Sequence, residues 1–341
     1  MQKLIFPFFI FAVLFSGCKS KRPADEETRR GVVAEAKSLA LPPIEVGFNA
    51  KGNLNAPEQL SMTDTLLRDL SPQLREHMHI RVTGGTRSQR QRPSDWSDEE
   101  IGGWCDLQRK HGFGLVIVVN GNDTPESQAD FVRRWQNAGA NITFIELMNE
   151  TYLVKYRQGR TDRPGAEFKI TFDDYVNTHV PAFTRALAPL EIPLYLVCAP
   201  EKDGGKNSYN TEWNEAVAAY AHPLKDSVRY GIVLHLYFDG GEYNYGQIQT
   251  VRNMFPEGTP VAVTEAGLAG YTAYDYNEAV QLTEAHFRNI AAELREGDYL
   301  FDHVLYTNYR NDRDATLHPH YKGISPKGEH VLNWMRDIWP D

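Results

Sequence analysis

The sequence predicts an α/β fold, a single (β/α)8 TIM barrel, on three observations. Short β-branched or apolar runs occur eight times. Segments of helical periodicity separate them over roughly 300 residues, a span typical of a closed parallel barrel. No glycine-rich phosphate fingerprint follows the first run, which argues against a doubly wound open sheet: GFNAKGNLN has neither G-x-G-x-x-G nor a P-loop lysine.

The runs, in order, are IEVGFN, HIRVTG, LVIVVN, ITFIELMNE, LYLVCAP, YGIVLHLYF, VAVTEAG and HVLYTNY. Between them, DFVRRWQNAG, FDDYVNTHVPAFTRALA and EAVQLTEAHFRNIAAELRE repeat apolar residues at three- and four-residue spacing. In the last of these Ala279, Leu282, Phe287, Ile290 and Leu294 form one stripe, and Gly297 reads as its stop. A closing helix is expected from about Pro326. The chain shows neither a 20–50-residue repeat nor a low-complexity segment.

The chain has 341 residues, 41% hydrophobic and 24% charged, which is ordinary globular composition. A net charge of −9 argues against general nucleic-acid binding. The N-terminus reads as an address. Lys3 precedes the apolar stretch LIFPFFIFAVLF, which is short for a bilayer span. The following LFSGC resembles a bacterial lipobox, which implies cleavage before Cys18 and acylation of its thiol. The expected organisation is then a signal peptide over 1–17, a lipidated tether over 18–42 and the barrel over 43–341, anchored to a bacterial membrane. A plain signal peptide with an incidental cysteine is the alternative. Cys105 and Cys198 sit in apolar contexts, match no metal spacing, and read as small buried hydrophobes, with a disulfide left open.

Functional groups of such a barrel gather at the C-terminal ends of its strands. There the sequence places Asn149 and Glu150 at the end of strand 4, and Glu265 at the end of strand 7. Strand 6 offers His235 and Tyr237 on one face, strand 2 Arg81, strand 3 Asn120 and Asn122, and strand 8 Tyr306 and Asn308. Two glutamates from different strands are what glycoside hydrolysis needs: one protonates the leaving oxygen, the other attacks the anomeric carbon or activates water.

These segments resemble the large clan of retaining (β/α)8 glycoside hydrolases. FIELMNET is similar to the clan's strand 4 motif, with Thr151 where proline is frequent, and VTEAG to its strand 7 motif. RVTGGT and HLY resemble strands 2 and 6 of the heparanase/β-glucuronidase, arabinofuranosidase and β-xylosidase branches. The resemblance implies Glu150 as acid/base, Glu265 as nucleophile, and Asn149 binding the sugar 2-hydroxyl. Arg81 and Tyr237 would hydrogen-bond Glu265, and His235 would face the substrate or the acid/base. Asn120, Tyr306 and Asn308 complete the expected substrate-binding set. The implied partner is a carbohydrate, and no cofactor is expected.

Plainer readings stand beside several of these residues. Glu146, deeper on the face of Glu150, suits a structural role. His77 and His79 precede strand 2, and His318 and His320 flank Pro319; solvated loop histidines are commoner than ligands, so no metal is expected. Trp96, Trp104, Tyr152, Tyr156, Tyr243, Tyr245, Tyr271, Tyr274 and Tyr276 lie on rim loops, where rings either stack on sugars or simply pack. Arg87, Arg90 and Arg92 read first as a solvated charge run, with recognition of an acidic glycan as the alternative. Two rival functions use the same scaffold: a non-catalytic glycan-binding lipoprotein, and a transglycosylase.

Overall fold

Period-two alternation of apolar residues fixes an inner and an outer face on each strand. The computed structural model describes residues 33, 35–36, 39–50, 56–85, 88–153, 172–201, 208–224, 228–239, 243–269, 274–306, 315–318, 321 and 323–340. The signal peptide, Cys18, Arg87, Tyr156, Tyr271, Asn308, Pro319 and His320 lie outside the described residues.

The strands are β1 (Glu45–Asn49), β2 (Met78–Val82), β3 (Gly114–Val119), β4 (Ile142–Leu147), β5 (Leu194–Val197), β6 (Tyr230–Phe238), β7 (Val261–Leu268) and β8 (Tyr299–Asp302). Each pairs in parallel with the next, and β8 pairs back onto β1, closing the barrel. The predicted (β/α)8 architecture is therefore the fold. One strand is misplaced by the sequence pattern. Tyr299–Phe301 and Val304–Tyr306 are two apolar runs separated by Asp302 and His303, and closure selects the first: Glu45–Phe48 pair with Tyr299–Asp302. Tyr306 falls beyond the strand and only bridges Leu317.

Local chemistry sets the helix ends. Ser97 and Glu100 form a capping box on helix Asp98–His111, which ends at Gly112 with φ 85°. Thr124 and Ser325 cap helices Pro125–Asn137 and Pro326–Ile338, each with proline in the first turn. Helix Tyr276–Glu293 stops short of Gly297, its chain turning extended at Leu294.

Inside the barrel, Val116, Phe144, Tyr195, Val233, Ala262 and Phe301 form an apolar plug. Phe144 stacks on Tyr195 with ring centroids 3.9 Å apart. Gly47 makes room, since a Cβ there would lie 2.8 Å from the Phe301 ring. Burying side chains of this size stabilises by roughly 1.5–3 kcal/mol each, which helps offset the polar layer above. That layer starts two residues further along each strand, where Gly47 gives way to Asn49, Phe144 to Glu146, and Val233 to His235.

Outside the barrel, Lys327 donates to Asp302 and Thr316 Oγ1 to its second oxygen at 2.7 Å, pinning the closing helix to β8. At the base, the two oxygens of Glu45 meet His77 Nδ1 at 3.0 Å and His79 Nε2 at 2.9 Å. Trp339 stacks on His77. His79 thus belongs to β2 rather than to a solvated loop. Cys105 and Cys198 are free and buried.

Candidate active site

Backbone irregularities aim the polar side chains. Ala262 and Glu265 both face the barrel interior, yet strict alternation would put residues 262 and 265 on opposite faces. A register shift resolves the conflict: Leu234 pairs with Val263 but His235 pairs with Glu265, leaving Thr264 as an inserted residue. Such bulges re-aim side chains near functional sites. At the end of β4, Met148 and Glu150 take φ of 76° and 49°, and Thr83 after β2 takes 63°. Non-glycine residues rarely adopt these angles, and such strain concentrates at functional sites.

Arg81 organises the cluster. Its Nε donates to Glu146 Oε2 at 2.8 Å and its Nη2 to Glu146 Oε1 at 2.5 Å. Nη2 also donates to Asn149 Oδ1 at 2.8 Å, and Nη1 to Glu265 Oε1 at 2.7 Å. Glu265 further accepts from Asn49 Nδ2 at 3.1 Å and from the Tyr237 hydroxyl at 2.5 Å. Because a guanidinium only donates, the Asn149 atom facing it must be the oxygen. The Asn149 Nδ2 group is thereby left buried without an acceptor.

His235 sits between the carboxylates. Its Nδ1 lies 3.4 Å from Glu150 Oε1 and 3.8 Å from Glu265 Oε2. Its Nε2 meets Thr264 Oγ1 at 3.1 Å and lies 3.6 Å from Glu146. Burial opposes a charged ring, but Glu265, Glu146 and Glu150 together raise its pKa to about 9. Burial likewise opposes the Arg81 charge, and Glu146 and Glu265 more than restore it. Glu146 is held below its usual value: burial disfavours the anion, but Arg81 and His235 outweigh it. Desolvation and the charge of Glu265 hold the Tyr237 phenol well above its ordinary value, so it remains a donor.

Access is graded. Side-chain exposure is 0% at Glu146, 4% at Glu265 and 13% at Glu150, so solvent reaches the cluster from the Glu150 side. Glu150, His235 and Glu265 each present one ligand atom within 4.8 Å of the others. That donor set could hold a cation only after His235 loses the proton its neighbours favour.

Glu150, Glu265, Asn149, Arg81, His235 and Tyr237 thus converge. Asn120 is occupied otherwise, its amide nitrogen donating to Gln91 O and its oxygen accepting from Asn122 N. Tyr306 is buried beyond β8. Among the rim aromatics, Trp96 packs on Phe131 and Trp135, Tyr152 on Trp213, and Tyr243 and Tyr245 on His286. Trp104 is also buried in the core. Each of these rings lies against protein neighbours. Sequence reasoning missed Asn49, Thr264 and Gln89, whose amide donates to the Asn149 carbonyl. A polar residue ending the apolar run VGF was the available signal for Asn49.

No protein-family model matches the chain, and no curated protein does. Solved structures do match. A family 39 glycoside hydrolase from the gut symbiont Bacteroides cellulosilyticus WH2 gives a TM-score of 0.51 at 12% identity, over 86% of this chain and 63% of that one. An endo-1,4-β-xylanase from Caldicellulosiruptor owensensis gives 0.51 at 9% identity, over 89% and 99%. An orotidine 5'-phosphate decarboxylase from Pyrococcus horikoshii OT3 gives 0.43 at 11% identity, over 87% and 100%. Glycoside hydrolases are therefore among the neighbours sharing this barrel, and at such identities the likeness is one of fold.

Proposed function

We propose that this chain hydrolyses glycosidic bonds with net retention, Glu265 acting as nucleophile and Glu150 as acid/base. The observation that carries the reading is the approach of Glu150 and Glu265, oxygen to oxygen within 4.8 Å, at one end of the barrel. Two carboxyl groups this close suit direct attack on the anomeric carbon by one of them, the arrangement that retaining enzymes use.

The contacts support the division of roles: Glu265 accepts from Arg81, Asn49 and Tyr237, donors that favour a carboxylate ready to attack, while Glu150 stands on the open side. In the first step Glu265 attacks the anomeric carbon, the bond to the leaving oxygen breaks, and that oxygen takes the proton from Glu150. In the second step Glu150 removes a proton from water, water attacks the same carbon, and Glu265 departs as a carboxylate. Asn149 Nδ2, lacking a protein acceptor, suits a sugar hydroxyl beside the reacting carbon. Glu150 is the more exposed carboxylate, as a group that exchanges protons with the leaving group and water should be. The same reading includes a lipid anchor at Cys18, from LFSGC.

Incubating the purified full chain with a panel of aryl glycosides and polysaccharides tests the activity. Proton NMR of the first-formed anomer then tests retention. Binding without turnover across the panel would favour the glycan-binding alternative.

A further inference from the structure

One oxygen of Glu265 is held twice. Oε1 accepts from Arg81 Nη1 at 2.7 Å and from Asn49 Nδ2 at 3.1 Å, donors carried by β2 and β1. Oε2 accepts from Tyr237 at 2.5 Å and faces His235 Nδ1 at 3.8 Å. His235 Nδ1 in turn approaches Glu150, so Oε2 is the oxygen on the acid/base side.

The Asn49 amide has one possible orientation. Its nitrogen lies 3.1 Å from Glu265 Oε1 and 3.1 Å from the His303 carbonyl, and both are acceptors. Its own oxygen is buried and accepts nothing. A buried amide oxygen without a donor is unfavourable, yet the fold keeps this one. Gly84 is required for it, because a Cβ at that position would lie 1.6 Å from Asn49 Oδ1 and 2.7 Å from Arg81 Nη1. Both N–H groups of Asn49 are thus committed, tying β1 to the nucleophile strand and to the segment after β8.

We propose that Asn49 is a positioning residue which, with Arg81, immobilises Oε1 of Glu265 and leaves Oε2 to bond with the anomeric carbon. The proposal rests on Glu265 being the nucleophile. Each carboxylate oxygen has two lone-pair sites; the two strand-borne donors fill those of Oε1, so the new bond must come from Oε2. As Oε2 gives its pair to carbon, the leaving oxygen takes the electrons of the broken bond and the proton of Glu150. Oε1 becomes the carbonyl oxygen of the ester, still held by Arg81 and Asn49.

The test is Asn49→Asp in the full chain, assayed with whichever 4-nitrophenyl glycoside the wild type turns over. The variant keeps the shape and replaces the donor with an acceptor; Asn49→Ser, which removes the reach, is run beside it, and circular dichroism checks the fold of both. Asn49→Asp should lose about ten- to a hundredfold in kcat/KM near neutrality, mainly in kcat. The acid limb of its profile should move to higher pH, because a second carboxylate opposes ionisation of the first. Folded variants with unchanged kcat/KM and a superimposable profile overturn the proposal. So does a loss of stability with an unmoved acid limb, the mark of a merely structural role. If the wild type acts and Glu265→Ala does not, while Asn49→Asp is unaffected, only the positioning role fails. If the wild type turns over no glycoside, the nucleophile reading fails and takes this proposal with it.

Discussion

Arg81 and Glu146 meet face to face in the barrel interior through two hydrogen bonds of 2.8 and 2.5 Å, and neither side chain is exposed. Desolvation makes such a pair expensive, and a hydrophobic replacement of both partners is often no less stable. What the pair does provide is a fixed guanidinium, aimed at Glu265 and Asn149 at once. Removing one partner strands the other's charge, at about 3–5 kcal/mol. Arg81→Ala should therefore lower unfolding stability by about that much and abolish turnover; urea melts and kinetics check it. A variant with wild-type stability would contradict the buried-pair account.

His235 gives stability a pH signature. Its folded pKa of about 9 lies above the ordinary 6.5. The stability contributed by the charged ring is then complete below about 6.5 and is lost as pH rises through about 9. Thermal melts of wild type and His235→Gln across this window should differ in slope, the wild type falling more steeply. Parallel curves would mean that the ring is neutral in the fold.

Much of this arrangement was legible in the sequence, for a physical reason. Polar residues in the C-terminal halves of apolar strands, or just beyond them, as in LMNE, VTEAG and HLYF, gather where a barrel carries its functional groups. Less legible was what depends on closure. β8 begins at Tyr299 rather than His303 because its register is set by β1, a partner about 250 residues away. The inward aim of Glu265 depends on the Thr264 bulge, which no local propensity announces. Rim aromatics could not be sorted by sequence into sugar platforms and packing residues, since both uses need the same rings. The contacts of Trp96 and Tyr152 emerge only once helix Pro125–Asn137 and Trp213 are placed against them.

The Glu150–His235–Glu265 set invites a metal on geometry alone. If His235 is the cation that its neighbours favour, glycosidase activity should survive dialysis against a chelator, and added zinc should inhibit by displacing the His235 proton. Loss of activity on chelation, restored by a stoichiometric divalent ion, would overturn this.

The anchor can be checked independently of the chemistry. Cys18→Ala should move the protein from the membrane fraction to the soluble fraction. An unchanged distribution, with no lipid mass on the N-terminal peptide of the wild type, would leave LFSGC an incidental match.

Whether Glu265 makes the covalent bond is tested most directly by azide rescue of Glu265→Ala. The alanine leaves space where Oε2 stood, and azide can attack the anomeric carbon from the same side. With an activated aryl glycoside, the variant alone should be nearly inactive. Added azide should restore turnover and release a glycosyl azide of inverted configuration, as NMR of the product would show. A glycosyl azide of retained configuration would identify Glu265 as the acid/base instead. An uninhibited Glu265→Ala enzyme would remove it from the chemistry altogether.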